Sequence, residues 1–135
     1  KNEGDGAIRL DFPGGWSGDS NNAFAQNGRT AEQQQFFDFT SKLFQWRKTN
    51  EAVHFGKMTH YIPENNVYVY FRYTDKKTVM VIVNNNLTSS AVNPKRFQEN
   101  IKDFKFGKDI LSGKAVDLKS EFNIEGQSVL VLELE

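Results

Sequence analysis

The fold is decided by two neighbouring stretches, Val67-Tyr68-Val69-Tyr70-Phe71-Arg72-Tyr73 and Thr78-Val79-Met80-Val81-Ile82-Val83-Asn84. In the first stretch the odd-numbered residues point to one face of a strand, and Tyr68, Tyr70 and Arg72 point to the other. In the second stretch the apolar residues from Val79 to Val83 follow one another without a break, which indicates a central strand covered on both faces. Because residues 74–77 are typical of a turn, the two stretches predict an antiparallel hairpin.

Further short strands are predicted along the rest of the chain, over residues 58–62, 104–111, 114–118 and 128–134. Pro63 ends the first of them. A helical turn is predicted over residues 94–100, because proline suits the first position of a helix. Turns at Ser112-Gly113 and Gly126-Gln127 separate the later strands. Six or more short antiparallel strands with frequent turns predict a mainly β fold, an antiparallel β-sandwich.

One long helix is predicted before the strands, from Thr30 to Thr49. Thr30 suits the N-cap position, and Gln33 completes a capping box. An apolar stripe recurs every three or four residues and consists of Phe36, Phe39, Leu43 and Trp46, widened by Phe37, Thr40 and Phe44. Most helix stability in water comes from packing such a face, so we expect a substantial partner, of which the strands supply only part.

The opening loop, residues 1–29, is rich in glycine and aspartate but also carries the apolar side chains Ile8, Leu10, Phe12 and Trp16. It contains three aspartates, Asp5, Asp11 and Asp19. Glycoside hydrolysis needs two carboxyl groups about 5–5.5 Å apart, or wider in inverting enzymes, and they must sit on rigid elements. Since this segment offers none, the alternative is that the aspartates end turns or bind arginine. Trp16 keeps two interpretations: an indole presented to a sugar ring, or a buried anchor of the loop.

Composition argues against several classes of function. The 17 basic and 17 acidic residues cancel, which disfavours binding to nucleic acid or to an anionic membrane. The absence of cysteine excludes disulfides and thiolate metal sites, and His54 and His60 lack the close spacing that suits zinc, so no metal and no cofactor is predicted. No apolar run approaches the roughly 18 residues of a membrane span. Asn86-Leu87-Thr88 matches a glycosylation acceptor, a short pattern that often arises by chance.

The residues of the opening loop also carry a resemblance to a known family. The segment from Gly4-Asp5-Gly6 through Asp11-Phe12-Pro13-Gly14-Gly15-Trp16 resembles the loop after the eighth barrel strand of cyclomaltodextrinases and neopullulanases, in the α-amylase family (glycoside hydrolase family 13). The similarity continues through Phe37 to Leu43, Trp46-Arg47-Lys48, Gly56-Lys57 and the two strand-forming stretches. The resemblance implies that residues 1–56 are a remnant of a (β/α)8 barrel, with residues 57–135 as a C-terminal antiparallel β-sandwich domain.

The resemblance also implies a function. The parent would be a retaining α-glycosidase acting on cyclodextrin, pullulan or malto-oligosaccharides, an α-glucan partner that binds through the barrel. The family's catalytic carboxylates follow the fourth, fifth and seventh barrel strands, so none is expected here and the 135 residues alone are predicted to be inactive. Asp11 and Trp16 are the candidate substrate-binding residues, because the loop after a barrel strand borders the substrate cleft. Relatives of this kind favour a periplasmic location.

Two other classes of function remain open. The first is a sugar-binding β-sandwich module in which Trp16, Tyr68, Tyr70 or Tyr73 stacks on the ligand. The second is an interaction domain whose helix stripe docks a partner chain. If residues 1–56 are a barrel remnant, we expect the separate 135-residue chain to self-associate through the face of Phe36, Phe39, Leu43 and Trp46, or to fold its opening loop over that face.

Overall fold

The computed structural model describes residue 4, residue 6 and residues 12–135. The chain divides into two compact units after Ser41, and each unit is described here by itself. The boundary falls inside the long helix, so the first unit holds the opening loop and the first turns of that helix. The second unit holds everything from Lys42 onward. Whether a domain boundary lies at residue 57 stays a prediction.

The described residues form three α-helices and eight strands. The helices are α1 (Ala31–Thr49), α2 (Glu51–Phe55) and α3 (Gln98–Ile101). The strands are β1 (Lys57–His60), β2 (Val67–Tyr73), β3 (Thr78–Asn84), β4 (Ser90–Val92), β5 (Phe106–Asp109), β6 (Ala115–Asp117), β7 (Phe122–Ile124) and β8 (Ser128–Leu134). Six strands form one antiparallel sheet in the order β1-β2-β3-β8-β5-β6, and β4 pairs with β7 in a second, smaller sheet.

Strand β3 lies at the centre of the larger sheet and is covered on both faces, as its unbroken apolar run predicts. Met80 and Ile82 belong to the main core between the two sheets, together with Phe71 of β2. Val79 and Val81 point to the outer face, where they form a second cluster with Ala52 of α2. This outer cluster fixes α2 against the sheet and thereby holds the end of the long helix in place.

The predicted architecture is confirmed: the fold is mainly β, an antiparallel sandwich preceded by a loop and one long helix. The hairpin occupies the predicted bounds, with Val67 opposite Asn84 and Tyr73 opposite Thr78. The capping box of α1 also forms. The Gln33 amide N–H donates to Thr30 Oγ1 over 3.2 Å, and the Thr30 amide N–H donates to Gln33 Oε1 over 2.9 Å.

The shorter elements depart from prediction. Strand β5 is restricted to Phe106–Asp109, because Asp109 already begins the turn in which the Gly113 amide donates to the Asp109 carbonyl over 2.7 Å. Strands β4 and β7 and helix α2 have no counterpart in the prediction. Within the part of the chain that the structure describes, no helix has the length and apolar character needed to cross a membrane.

Candidate functional site

The loop around Trp16 is built on a glycine pair and one aspartate. The carboxylate of Asp19 accepts hydrogen bonds from the amides of Gly14, at 3.0 Å, and Trp16, at 3.1 Å. Both Gly14 and Gly15 have φ of +108°, a conformation that L-residues with side chains rarely adopt. A Cβ on Gly14 would also lie 2.6 Å from Asn22 Oδ1. Asp19 thus ends a turn, which was one of the two alternatives for the loop aspartates.

This turn leaves the Trp16 side chain 79% exposed, so within its unit the indole is presented to solvent rather than buried. The nearby rings of Phe12 and Phe24 pack on each other instead, with centroids 5.3 Å apart. Asp11, the other candidate substrate-binding residue, lies outside the described residues, as does Asp5. The predicted substrate contacts of Asp11 and Trp16 therefore stay predictions.

Arg29 makes three further contacts within this unit, none of them to an aspartate among the described residues. Its Nε donates to Gln34 Oε1 over 2.7 Å, and its Nη1 donates to the carbonyl of Ala23. The guanidinium carbon stands 3.9 Å from the ring centroid of Phe37, a cation–π geometry. The loop therefore reaches one aromatic residue of α1, but Phe36 remains 68% exposed.

The tyrosines of β2 separate onto opposite faces of the sheet. Tyr68 and Tyr70 share the outer face, with ring centroids 5.6 Å apart and planes tilted by 32°. Burial raises the pKa of Tyr70, and so does Tyr68, while Arg72 acts in the opposite direction. Tyr73 instead packs against the main core, and Tyr70 packs against the outer cluster. The predicted stacking of these tyrosines on a sugar stays a prediction.

The two histidines do not meet. The ring of His54 lies 5.5 Å from that of Phe55, and His60 lies 6.3 Å from Tyr68. Among the residues that the structure describes, no three acidic or histidine side chains are grouped closely enough to hold a metal ion.

The end of α1 is fastened to the sheet by one carboxylate. Glu133 Oε1, on β8, accepts hydrogen bonds from Trp46 Nε1 and from Asn50 Nδ2, both over 2.8 Å. Asn50 is buried and also caps α2, because its Oδ1 accepts from the Val53 amide over 3.2 Å. Trp46 packs beside the outer cluster, so the sheet covers this end of the helix stripe. Phe44, on the same helix, is 56% exposed.

Comparison with known proteins agrees with this fold. The model of the cyclo-malto-dextrinase C-terminal domain family matches residues 58–133, more than half of the chain. Among solved structures, an AmyP variant in complex with maltotriose aligns with a TM-score of 0.66 and 17% identity over 78% of this chain and 22% of that one. The α-amylase of Geobacillus thermoleovorans, complexed with acarbose, aligns with a TM-score of 0.65 and 15% identity over 79% of this chain and 24% of that one. The noncanonic maltogenic α-amylase AmyB of Thermotoga neapolitana aligns with a TM-score of 0.58 and 17% identity over 73% of this chain and 25% of that one.

At these identities the solved structures establish the fold: a β-sandwich of the kind found in α-amylases. The family model also establishes the family to which the chain belongs. The chain belongs to the family of cyclo-malto-dextrinase C-terminal domains, because that model matches residues 58–133, which include all eight strands except the first residue of β1 and the last residue of β8. It spans a quarter or less of the length of the solved structures it resembles.

Proposed function

We propose that this chain is the C-terminal part of a retaining α-glucan hydrolase that acts on cyclodextrin, pullulan or malto-oligosaccharides. Its role there is structural: the sandwich supports a catalytic barrel, and the catalytic carboxylates lie elsewhere in the parent protein. The name of the matching family supports this substrate class. So do the maltotriose and acarbose in the similar structures, which belong to those proteins.

The observation that carries the proposal is the uncovered aromatic face of α1. Phe36, Phe39 and Phe44 are 68%, 45% and 56% exposed, whereas burying a side chain of this size contributes about 1.5–3 kcal/mol. A helix with such an exposed apolar face is stabilised when another surface packs against that face. The last helix of a barrel has one, since its apolar face packs on the barrel strands.

Adding the sequence that precedes Lys1 in the gene tests this role directly. In the longer protein we expect the amides of residues 34–44 to become protected from hydrogen exchange by at least tenfold, because the stripe is then covered intramolecularly. The exposed α2 residue Phe55 provides the matched control, a position where no change is expected. Equal exchange at residues 34–44 in the two proteins, compared at a concentration where the 135-residue chain is monomeric, would contradict the proposal.

The 135-residue chain should not hydrolyse maltoheptaose. Covalent glycoside hydrolysis requires a positioned nucleophile and acid, and the proposal places both outside this chain. Product formation is measured by chromatography after prolonged incubation, with the longer protein as the positive control. Turnover above background by the 135 residues would mean that the catalytic groups have been misplaced.

A further inference from the structure

A pocket of about 580 Å³ opens at one edge of the sandwich, between the start of β2 and the strand β4. Its apolar lining consists of Val67, Val69, Val92 and Phe97, which belong to the main core and are 2–8% exposed. Its rim is polar and is formed by Glu64, Asn65, Asn66, Asn86, Asn93 and Arg96. We call this the edge pocket. Its volume falls within the roughly 300–1,000 Å³ that small-ligand pockets span, and several polar groups converge on it.

The rim is held in one arrangement by its own hydrogen bonds. Asn86 Nδ2 lies within hydrogen-bond distance of the Asn65 carbonyl, at 2.7 Å, and of Ser90 Oγ, at 2.9 Å. Asn66 Nδ2 donates to Asn86 Oδ1 over 3.2 Å. Asn65 and Asn66 have φ of 50° and 57°, so a tight turn projects both side chains from the same edge. The fixed turn and the bond between Asn66 and Asn86 reduce the ordering cost of binding a ligand at this rim.

The charges of the edge pocket compensate each other. Arg96 Nη2 forms a 2.8 Å ion pair with Glu64 Oε1 and also donates to the Ile62 carbonyl over 2.6 Å. An anionic ligand would meet the Glu64 carboxylate, and a cationic one would meet Arg96. The pocket therefore suits a neutral ligand. Within residues 12–135, the side-chain amide of Asn65 has no protein partner and retains both its donor and its acceptor capacity.

A sugar ring has the matching chemistry. Each of its hydroxyl groups donates and accepts hydrogen bonds, as a side-chain amide does. From this complementarity we propose that the edge pocket binds a neutral oligosaccharide through the side-chain amides of Asn65 and Asn66 on its rim. The choice of a malto-oligosaccharide as that ligand rests on the proposed function.

Titration of the ¹⁵N-labelled 135-residue chain with maltotriose, followed by NMR, tests this site. We expect saturable shifts at the side-chain amides of Asn65, Asn66 and Asn86. Asn65→Gly should weaken binding about tenfold, the equivalent of one well-placed hydrogen-bonding group. The fold should survive this change, because glycine adopts the positive φ of residue 65 without strain.

Gln127→Gly is the matched control. Gln127 also has a positive φ, of 46°, but does not line the edge pocket, so its replacement should leave the affinity unchanged. The proposal is overturned by an absence of saturable shifts, by shifts confined to Tyr68 and Tyr70 or to Trp16, or by unchanged affinity in Asn65→Gly. None of these results bears on hydrogen exchange in α1, so the proposed function can survive the loss of this site.

Discussion

At the scale of single residues, buried polar side chains connect the strands of the sandwich to its turns by hydrogen bonds. Asn84, at the end of β3, is 1% exposed, and its Nδ2 lies 3.0 Å from the Thr88 carbonyl and 2.9 Å from the Glu125 carbonyl. Its Oδ1 accepts from the Asn86 amide over 3.0 Å. One amide thereby connects the central strand to the turns beside both strands of the smaller sheet. Asp109, at the end of β5, performs a similar task by accepting hydrogen bonds from Ser112 and from the Val131 amide.

Asp109 should make stability depend on pH. Burial by itself raises the pKa of this carboxyl, but hydrogen bonds from Ser112, Val131 and Leu111 outweigh it and hold the pKa below its ordinary value. A carboxyl with a lowered folded-state pKa stabilises the protein fully above its unfolded pKa of about 4, and this stability is lost as the pH falls through the folded pKa. Asp109→Asn should therefore cost about 1–3 kcal/mol at pH 7 and progressively less toward pH 3.

Urea unfolding of the wild type and Asp109→Asn at a series of pH values measures this difference. The exposed Asp75→Asn serves as the control and should cost little at any pH. A difference between wild type and Asp109→Asn that stays constant from pH 7 to pH 3 would rule out the carboxylate as its source.

At the scale of elements, the junction of α1, α2 and β8 depends on Glu133. Glu133→Ala removes the acceptor of two hydrogen bonds and leaves the buried Asn50 amide unpaired, which should lower the free energy of unfolding by about 1–3 kcal/mol. Circular dichroism during urea unfolding gives the value. Glu121→Ala, at an exposed position, is the matched change and should be nearly neutral. Equal stability of the two variants would mean that packing of Trp46 alone fastens the helix.

Sequence predicted elements well where a periodic pattern ran long enough. The alternation from Val67 to Tyr73 and the apolar run from Val79 to Val83 gave both strands of the hairpin at their observed bounds. Strands β4 and β7 have three residues each, too few to display a period. Helix α2 follows α1 after the single residue Asn50, so its five residues carry no separate pattern.

The candidate site was less accessible to prediction, because its contacts join distant parts of the chain. Glu133 and Trp46 are 87 positions apart, and no pattern in the sequence around either residue predicts their hydrogen bond. The exposure of Trp16 follows from the carboxylate of Asp19, whose role in the turn was only one of two open alternatives. The asparagines at positions 65, 66 and 86 were the signal in the sequence for the rim of the edge pocket, but the sequence does not show that they lie together.

At the scale of the whole molecule, the exposed face of α1 should drive association of the separate chain. Phe36 and Phe39 are exposed, and contiguous apolar patches above a few hundred Å² favour interfaces. Light scattering after size exclusion should show a mass that rises with concentration above the 15.5 kDa of one chain. The double variant Phe36→Ser/Phe39→Ser should shift the mass back toward the monomer.

Changing Gln35→Ser and Gln45→Ser on the same helix provides the control and should leave the association unchanged. A wild-type chain that stays monomeric at the highest attainable concentration would contradict the predicted self-association.

The amide of Asn86 has a consequence for covalent modification. Its nitrogen is already committed to the Asn65 carbonyl and to Ser90 within the folded domain. A glycan attached there would leave Nδ2 a single hydrogen, so at least one of those two bonds would be lost. If the tripeptide from Asn86 to Thr88 ever meets a glycosylating enzyme, the reaction must take place on the nascent polypeptide, before β2 and β4 come together.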